Sequence, residues 1–133
     1  FGEALLTKDI TYNHLDPDDQ ACLQAGNMQL LPSRDRGGRA IFCDMDMAND
    51  TSYKRPVNRL KIWIYIMLTL LEEEENQKRG IVIVLTQLGR IHPFMVNPEL
   101  SRENPKIMKW IPLRVSGFHY CIEDPLFATL CRL

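Results

Sequence analysis

The stretch RGIVIVLTQLG, residues 79–89, contains five consecutive apolar residues from Ile81 to Leu85. A charged segment precedes this run, and polar residues and Gly89 follow it. A strand that is apolar at every position must be covered on both faces, as is typical of a parallel strand inside a sheet. The sequence therefore predicts a central β-strand over residues 80–86 and raises the question of what covers each face.

A long helix is predicted before this strand, from Val57 to about Lys78. At 100° per residue its apolar side chains span an arc of roughly 240°, against the stripe of about 100° that a surface helix needs. We therefore expect this helix to be buried on more than one side. Its apolar run of about ten residues is too short to cross a membrane, which takes about 20. The charge run over 72–79 is interpreted as the solvated end of the helix.

Further strands and helices alternate along the chain. Asp16 and Pro17 predict the start of a short helix that ends near Ala25, and Pro125 predicts the start of a final helix that runs to Leu133. The other predicted elements are strands over 28–31, 40–43 and 114–122, a polar turn over 33–39 that joins the first two as a hairpin, and an interrupted helix over 98–111. This order predicts an α/β protein with a mainly parallel β-sheet and helices.

Length and composition fit one globular domain, since the chain has 133 residues, of which 45% are hydrophobic and 25% charged. We expect a helical and irregular lead-in over residues 1–27 and the domain itself over 28–133.

A net charge of −1 argues against a nucleic-acid partner, which would require a basic excess. The four cysteines match no CxxC or zinc spacing, and no signal peptide opens the chain, so we expect reduced thiols in a cytoplasmic protein. Disulfides in a secreted chain are the alternative.

Motifs for phosphate binding and catalysis are absent from the sequence: nothing reads GxxxxGK[ST], GxGxxG after a strand, or GxSxG. Gly37-Gly38 precedes a strand rather than a helix, so we interpret it as a plain turn and not as a phosphate cradle. Asp44-Met45-Asp46 resembles a divalent-metal pair, but the residues after it do not form a calcium loop. We interpret it as a strand end with solvated acids.

Two further groups have both a functional and a structural interpretation. His119 and Cys121 alternate on one strand and face the same way; with no third ligand nearby, we predict core residues rather than a metal site or a Cys/His pair. Five cations near two loops could contact phosphate or a membrane surface, with ordinary solubility as the alternative: Arg34, Arg36, Arg39, Lys54 and Arg55.

Three stretches in order resemble the CRAL-TRIO lipid-binding domain family, over about residues 28–133. DRGGRAIFCDMD is similar to the family's GRPV-type first strand. LLEEEENQKRGIVIVLTQLG is similar to the next segment, where a long helix ends in polar residues and a glycine precedes an apolar strand. IPLRVSGFHYCIEDPLF is similar to a strand of the type PxRxxxIHFIN between two prolines. The resemblance implies that the domain is C-terminally incomplete here, ending before the family's gate helix.

What the resemblance implies is a sheet with one face walling a hydrophobic pocket for one lipid, such as a phosphoinositide or other phospholipid, tocopherol or a retinoid. We expect binding, and possible transfer between membranes, without catalysis and with no cofactor other than the lipid. The expected protein is a monomer that contacts membrane surfaces transiently. Carried over position by position, the pocket would be lined by Leu60, Trp63, Met67, Ile81, Ile83, Leu85, Phe118, Tyr120 and Ile122.

Two other functions are weighed against lipid binding. A protein-interaction or scaffold domain could keep this fold with its pocket filled by bulky side chains such as Trp63 and Phe118. A small α/β enzyme is the weakest hypothesis, because no two of its candidate residues have a diagnostic spacing: Asp44, Asp46, His92 and His119.

Overall fold

The computed structural model describes residues 10–46, 56–89 and 108–130, with 102 and 106 besides, apart from the side chains at 46, 56–59, 127 and 130. Predicted features at 1–9, 47–55, 90–101, 103–105, 107 and 131–133 lie outside these residues, among them most of the predicted interrupted helix over 98–111 and the end of the predicted final helix. Within the described chain, four strands form one sheet in the order β1-β2-β3-β4. Their bounds are Met28–Leu30, Ala40–Asp46, Ile81–Gln87 and Val115–Ile122.

The sheet is mixed. β1 pairs antiparallel with β2, whereas β2, β3 and β4 are mutually parallel. The predicted α/β class is confirmed, and so is the hairpin between the first two strands. β3 lies between two parallel neighbours, the central place that its continuous apolar run indicates.

Four described helices accompany the sheet: α1 is Pro17–Gln24, α2 is Pro56–Leu71, α3 is Glu74–Arg79 and α4 is Pro125–Leu130. A short 3₁₀ helix, Tyr12–His14, precedes α1, and residues 108–110 are also helical. α1 starts and ends where the sequence predicts, with Pro17 at its first position and Ala25 as its C-cap. Asp16 occupies the N-cap position, but its side chain makes no capping hydrogen bond.

The long helix is shorter than predicted, because it ends at Leu71 and a separate helix begins at Glu74. Four glutamates follow Leu71, at 72–75. The break places two of them, Glu74 and Glu75, in the first turn of α3, and two cations lie in its last turn. Charges of the favourable sign therefore lie at both ends of the α3 dipole.

The core lies between α2 and one face of the sheet, which we call the helix face. Its strand residues are Phe42, Ile81 and Ile83, all with 1% exposure or less. α1 and the 3₁₀ helix before it cover a second side of α2, where the ring of Tyr12 from the 3₁₀ helix lies 6.3 Å from the ring of Tyr65. The prediction that the long helix is buried on more than one side is therefore confirmed.

The described parts of both crossover connections lie on the helix face. The first contains α2, and the second brings Ile111 and Leu113 into the same core cluster. Successive parallel strands that step in one direction through right-handed crossovers have both connections on one side. Among the described residues, no crossover helix packs on the opposite face of β2, β3 and β4.

Candidate functional site

The candidate site is this opposite face, which we call the open face. Side chains alternate across a strand, and the strand register aligns the alternating residues of β2, β3 and β4. None of these residues belongs to the core cluster of the described chain. The open face consists of Ile41, Cys43, Met45, Val82, Val84, Thr86, Gly117, His119 and Cys121.

The open face is apolar along its centre and only partly covered. Val82 is buried, at 7% exposure, while Ile41, Met45 and Val84 are half-buried. Exposure increases toward β4, where His119 and Cys121 are exposed. An apolar strip that keeps contact with water is the kind of surface on which another apolar group gains free energy by docking.

Gly117 opens a shallow gap in this strip. A Cβ at this position would lie 3.6 Å from Val82 Cγ2 and 3.7 Å from His119 Nε2, which are ordinary van der Waals distances. The backbone here does not require glycine, because Gly117 is not among the residues with positive φ. The missing side chain therefore leaves room above Val82 that a larger residue could fill.

The nine residues predicted to line a lipid pocket all belong to α2 or to the helix face. Five of them are buried in the core cluster, in contact with protein: Leu60, Trp63, Met67, Ile81 and Ile83. Leu85 and Ile122 are half-buried. Phe118 and Tyr120 are exposed, at 56% and 41%. Contact of any of the nine with a lipid stays a prediction.

α2 contacts the helix face directly at Trp63. Its ring meets Phe42 edge to face, with centroids 5.1 Å apart, and its Nε1 donates a hydrogen bond to Asp44 Oδ2 at 3.0 Å. Asp44 is buried at 3% exposure, so its interpretation as a solvated acid at a strand end is wrong. The strand extends to Asp46, and alternation from Phe42 turns Asp44 inward.

The prediction that His119 and Cys121 are core residues is also wrong, because both are exposed. They do share one face, as the alternation predicts. β4 is the outermost strand of the described sheet and pairs with β3 on one side. Burial raises the pKa of the Cys43 thiol, and the nearby Cys121 acts in the same direction, so Cys43 is a poor nucleophile.

Two of the five cations of the predicted basic patch pair with acids. Arg34 donates to Glu73 Oε2 and Asn76 Oδ1, and Arg39 Nε donates to Asp35 Oδ2. The backbone N–H of Arg39 bonds Asp35 and holds the pKa of that carboxyl below its usual value. Arg36 is exposed, while Lys54 and Arg55 lie outside the described residues.

Gly37-Gly38 forms the plain turn that the sequence predicts. Asp35 Oδ1 accepts hydrogen bonds from the backbone N–H groups of Gly37 and Arg39, and Gly38 has a φ of 75°. The turn thus supplies its own acceptor for the N–H groups that a phosphate would bind.

The residues considered for an enzyme do not converge in the described chain. Asp44 lies on the helix face and His119 on the open face, on opposite sides of the sheet. The side chain of Asp46 and the whole of His92 lie outside the described residues. Among the side chains that are described, no three of His, Cys, Asp or Glu come together as metal ligands would.

No described helix has both the length and the apolar character needed to span a bilayer. No model of a known protein family matches the chain, and no curated protein matches it significantly. The class that the fold itself defines is an α/β domain with a mixed sheet.

Proposed function

We propose that this chain is a non-catalytic domain that binds the hydrophobic tail of a lipid on the open face of its sheet. One observation carries the proposal: β3 is apolar on both faces, yet only its helix face belongs to the core cluster. On the open face, Val84 of β3 is half-buried, and so are Ile41 and Met45 of the adjacent strand β2. In this proposal a lipid tail lies along these three residues and covers the second face of β3.

The CRAL-TRIO-like order of sequence blocks supports a lipid as the occupant. In this proposal the protein works in the cytoplasm and contacts membranes transiently to exchange a phospholipid, phosphoinositide or isoprenoid-type lipid. Burying a chain of about sixteen carbons yields roughly 10 kcal/mol before ordering costs are subtracted. Tail burial can therefore retain a lipid with no dedicated polar contact.

The open face is preferred to the helix face because five of the nine predicted pocket residues already contact protein. Phe118 and Tyr120 are the predicted pocket residues that remain most exposed to a ligand. The two faces can be tested separately, because adjacent residues of β3 and β4 point to opposite sides.

The experiment is native mass spectrometry of the purified protein after incubation with mixed liposomes, followed by lipid identification. Val84→Asp places a charge in the apolar strip and should abolish retention of the lipid, whereas Gly117→Leu fills the gap above Val82 and should reduce it. Leu126→Asp, at the most exposed apolar residue of α4, is the matched control and should retain lipid. Circular dichroism checks that each variant is folded.

Phe118→Asp separates the two faces. Loss of lipid in folded Phe118→Asp with retention in folded Val84→Asp would move the site to the helix face. A wild-type protein that stays empty after liposome incubation would contradict lipid binding altogether.

An interaction domain with a filled interior is the second candidate function. The direct contact of Trp63 with Phe42 and Asp44 supports it, since side chains occupy the space between α2 and the sheet at this place. An empty wild-type protein would favour this function, and a stoichiometric lipid would argue against it.

A further inference from the structure

The inference concerns the outer edge of the sheet at β4. β4 is eight residues long, contains no Lys, Arg, Asp, Glu or Pro, and pairs on one side with β3. The four residues 118–121 are all exposed, although they point alternately to both faces. An uncharged, exposed edge strand of this length is a template for pairing with another strand.

The opposite edge of the described sheet is protected. β1 has only three residues, and Pro32 follows it closely. Short edge strands and nearby prolines are the usual means by which proteins prevent edge pairing. β4 is longer, and its nearest prolines, Pro112 and Pro125, lie three residues beyond its two ends, so the two edges of the described sheet differ in their capacity to associate.

We propose that β4 pairs antiparallel with β4 of a second copy of this chain, which joins two sheets into one of eight strands. The two-fold axis is perpendicular to the sheet and passes through His119. This axis keeps each side chain on its own face, so Phe118 lies opposite Tyr120 of the second copy, and Gly117 opposite Cys121 of the second copy. The proposal departs from the monomer that the sequence led us to expect.

The opposite charges at the two ends of β4 favour this register. Arg114 precedes β4 and Asp124 follows it, and the axis at His119 brings each Arg114 near Asp124 of the second copy. Shifting the axis by one residue, to Phe118, would place Arg114 opposite Ile122 instead. Within the strand there are no like charges to oppose one another, and Phe118 and Tyr120 form two aromatic cross-strand pairs, a stabilising combination.

Sedimentation velocity from micromolar to hundreds of micromolar protein tests the association. The wild type should form a dimer. His119→Asp places two negative charges directly opposite each other and should raise the dissociation constant about tenfold or more, whereas the neutral His119→Asn should leave it within a factor of about three. Circular dichroism melts show whether each variant is folded.

A disulfide tests the register. Under mild oxidation Gly117→Cys should form a covalent dimer through Cys121 of the second copy, and Gly117→Cys with Cys121→Ser should not. Equal cross-linking of these two variants would overturn the register, and an unchanged dimer in folded His119→Asp would overturn the interface. A monomer at every concentration would overturn the proposal. Protection from hydrogen exchange of those amides of 118–121 that point away from β3 would then show that a strand of the same chain covers the edge.

Discussion

Trp63 on α2 and Asp44 on β2 are joined by a buried hydrogen bond, with the indole Nε1 3.0 Å from the carboxylate Oδ2. The bond fixes α2 on the sheet, and few other polar groups lie in this core. Trp63→Phe keeps the ring contact with Phe42 but removes the donor. Removing the partner of a buried polar group costs about 1–3 kcal/mol, so we expect the free energy of unfolding to fall by about 2 kcal/mol in urea denaturation.

Asp44→Asn is the matched variant, because its amide oxygen can still accept from Trp63. It should cost less than Trp63→Phe. A loss for Asp44→Asn that equals the loss for Trp63→Phe would show that charge, rather than the hydrogen bond, sets the stability of this contact.

Asn76 ties the end of α2 to the turn before β2. Its Nδ2 donates to the carbonyl oxygen of Leu70, its Oδ1 accepts from Arg34, and its side chain is fully buried. Asn76→Ala leaves buried groups unsatisfied and should cost about 2–3 kcal/mol, measured by chemical denaturation.

Gln77 offers a control of the same chemistry. Its Nε2 donates to the carbonyl oxygen of Leu71 on the exposed side of the same helix end. Water can replace this bond, so Gln77→Ala should change stability by no more than about 0.5 kcal/mol. Equal losses at Asn76 and Gln77 would contradict the role assigned to burial.

Gly80 and Gly89 separate backbone strain from steric overlap at the two ends of β3. Both have positive φ, 76° and 79°. A Cβ at Gly80 would lie 2.4 Å from Ser116 Oγ and 2.5 Å from the carbonyl oxygen of Arg114, whereas one at Gly89 meets nothing within 4 Å. Gly89→Ala should cost about 1 kcal/mol for the backbone alone, and Gly80→Ala at least about 3 kcal/mol.

Thermal unfolding of the two alanine variants gives the comparison directly. Similar losses at Gly80 and Gly89 would mean that β4 moves away from Gly80 at little cost. The close approach of Arg114 would then be unimportant to the start of the strand.

Asp19 makes the stability depend on pH. It is fully buried on α1, and neither carboxylate oxygen has a well-aligned hydrogen-bond partner in the described chain. Burial raises the pKa of this carboxyl, and the charges of Asp16 and Asp18 act in the same direction; the backbone N–H of Asp16 and the charge of Lys61 lower the pKa but are outweighed. The folded state therefore holds the proton more tightly than the unfolded state, so this group's contribution to stability declines as pH rises through the interval between the two pKa values.

Asp19→Asn removes this dependence. We expect the variant to be more stable than the wild type at neutral pH, by about 1 kcal/mol, and the difference to disappear at acid pH. Thermal melts at several pH values measure both trends. A parallel pH dependence in the two proteins would assign the effect to other carboxylates.

The order of elements could be predicted because local patterns determine it. Each of three local patterns specifies one conformation: the apolar run of β3, the Asp16-Pro17 start of α1, and the two glycines of the turn that Asp35 begins. The end of α2 was missed, because four glutamates have high helix propensity, whereas the hydrogen bond that Asn76 donates to the carbonyl oxygen of Leu70 forms only when the helix ends there. The antiparallel pairing of β1 with β2 could be predicted because the short connection between the two strands favours a hairpin.

The candidate site was harder to predict, because it depends on which face α2 covers. Alternation assigns Ile83 and Val84 to opposite faces but cannot tell which one meets the helix. The exposure of His119 and Cys121 depends on the position of β4 in the sheet, a non-local property. The inward direction of Asp44 could have been found by extending the alternation from Phe42 across the longer strand.

The sheet register also bears on the order of folding. β1 and β2 pair across a connection of nine residues, 31–39, whereas Ala40 meets Ile81, and Ile81 meets Val115, only after much longer segments have closed. The entropy lost on closing a loop grows with its length, and non-local parallel pairing is intrinsically slow. We therefore expect the β1–β2 hairpin to be the earliest pairing along the folding route, and docking of β3 onto β2, which closes the longest of the three connections, residues 47–80, to limit the rate.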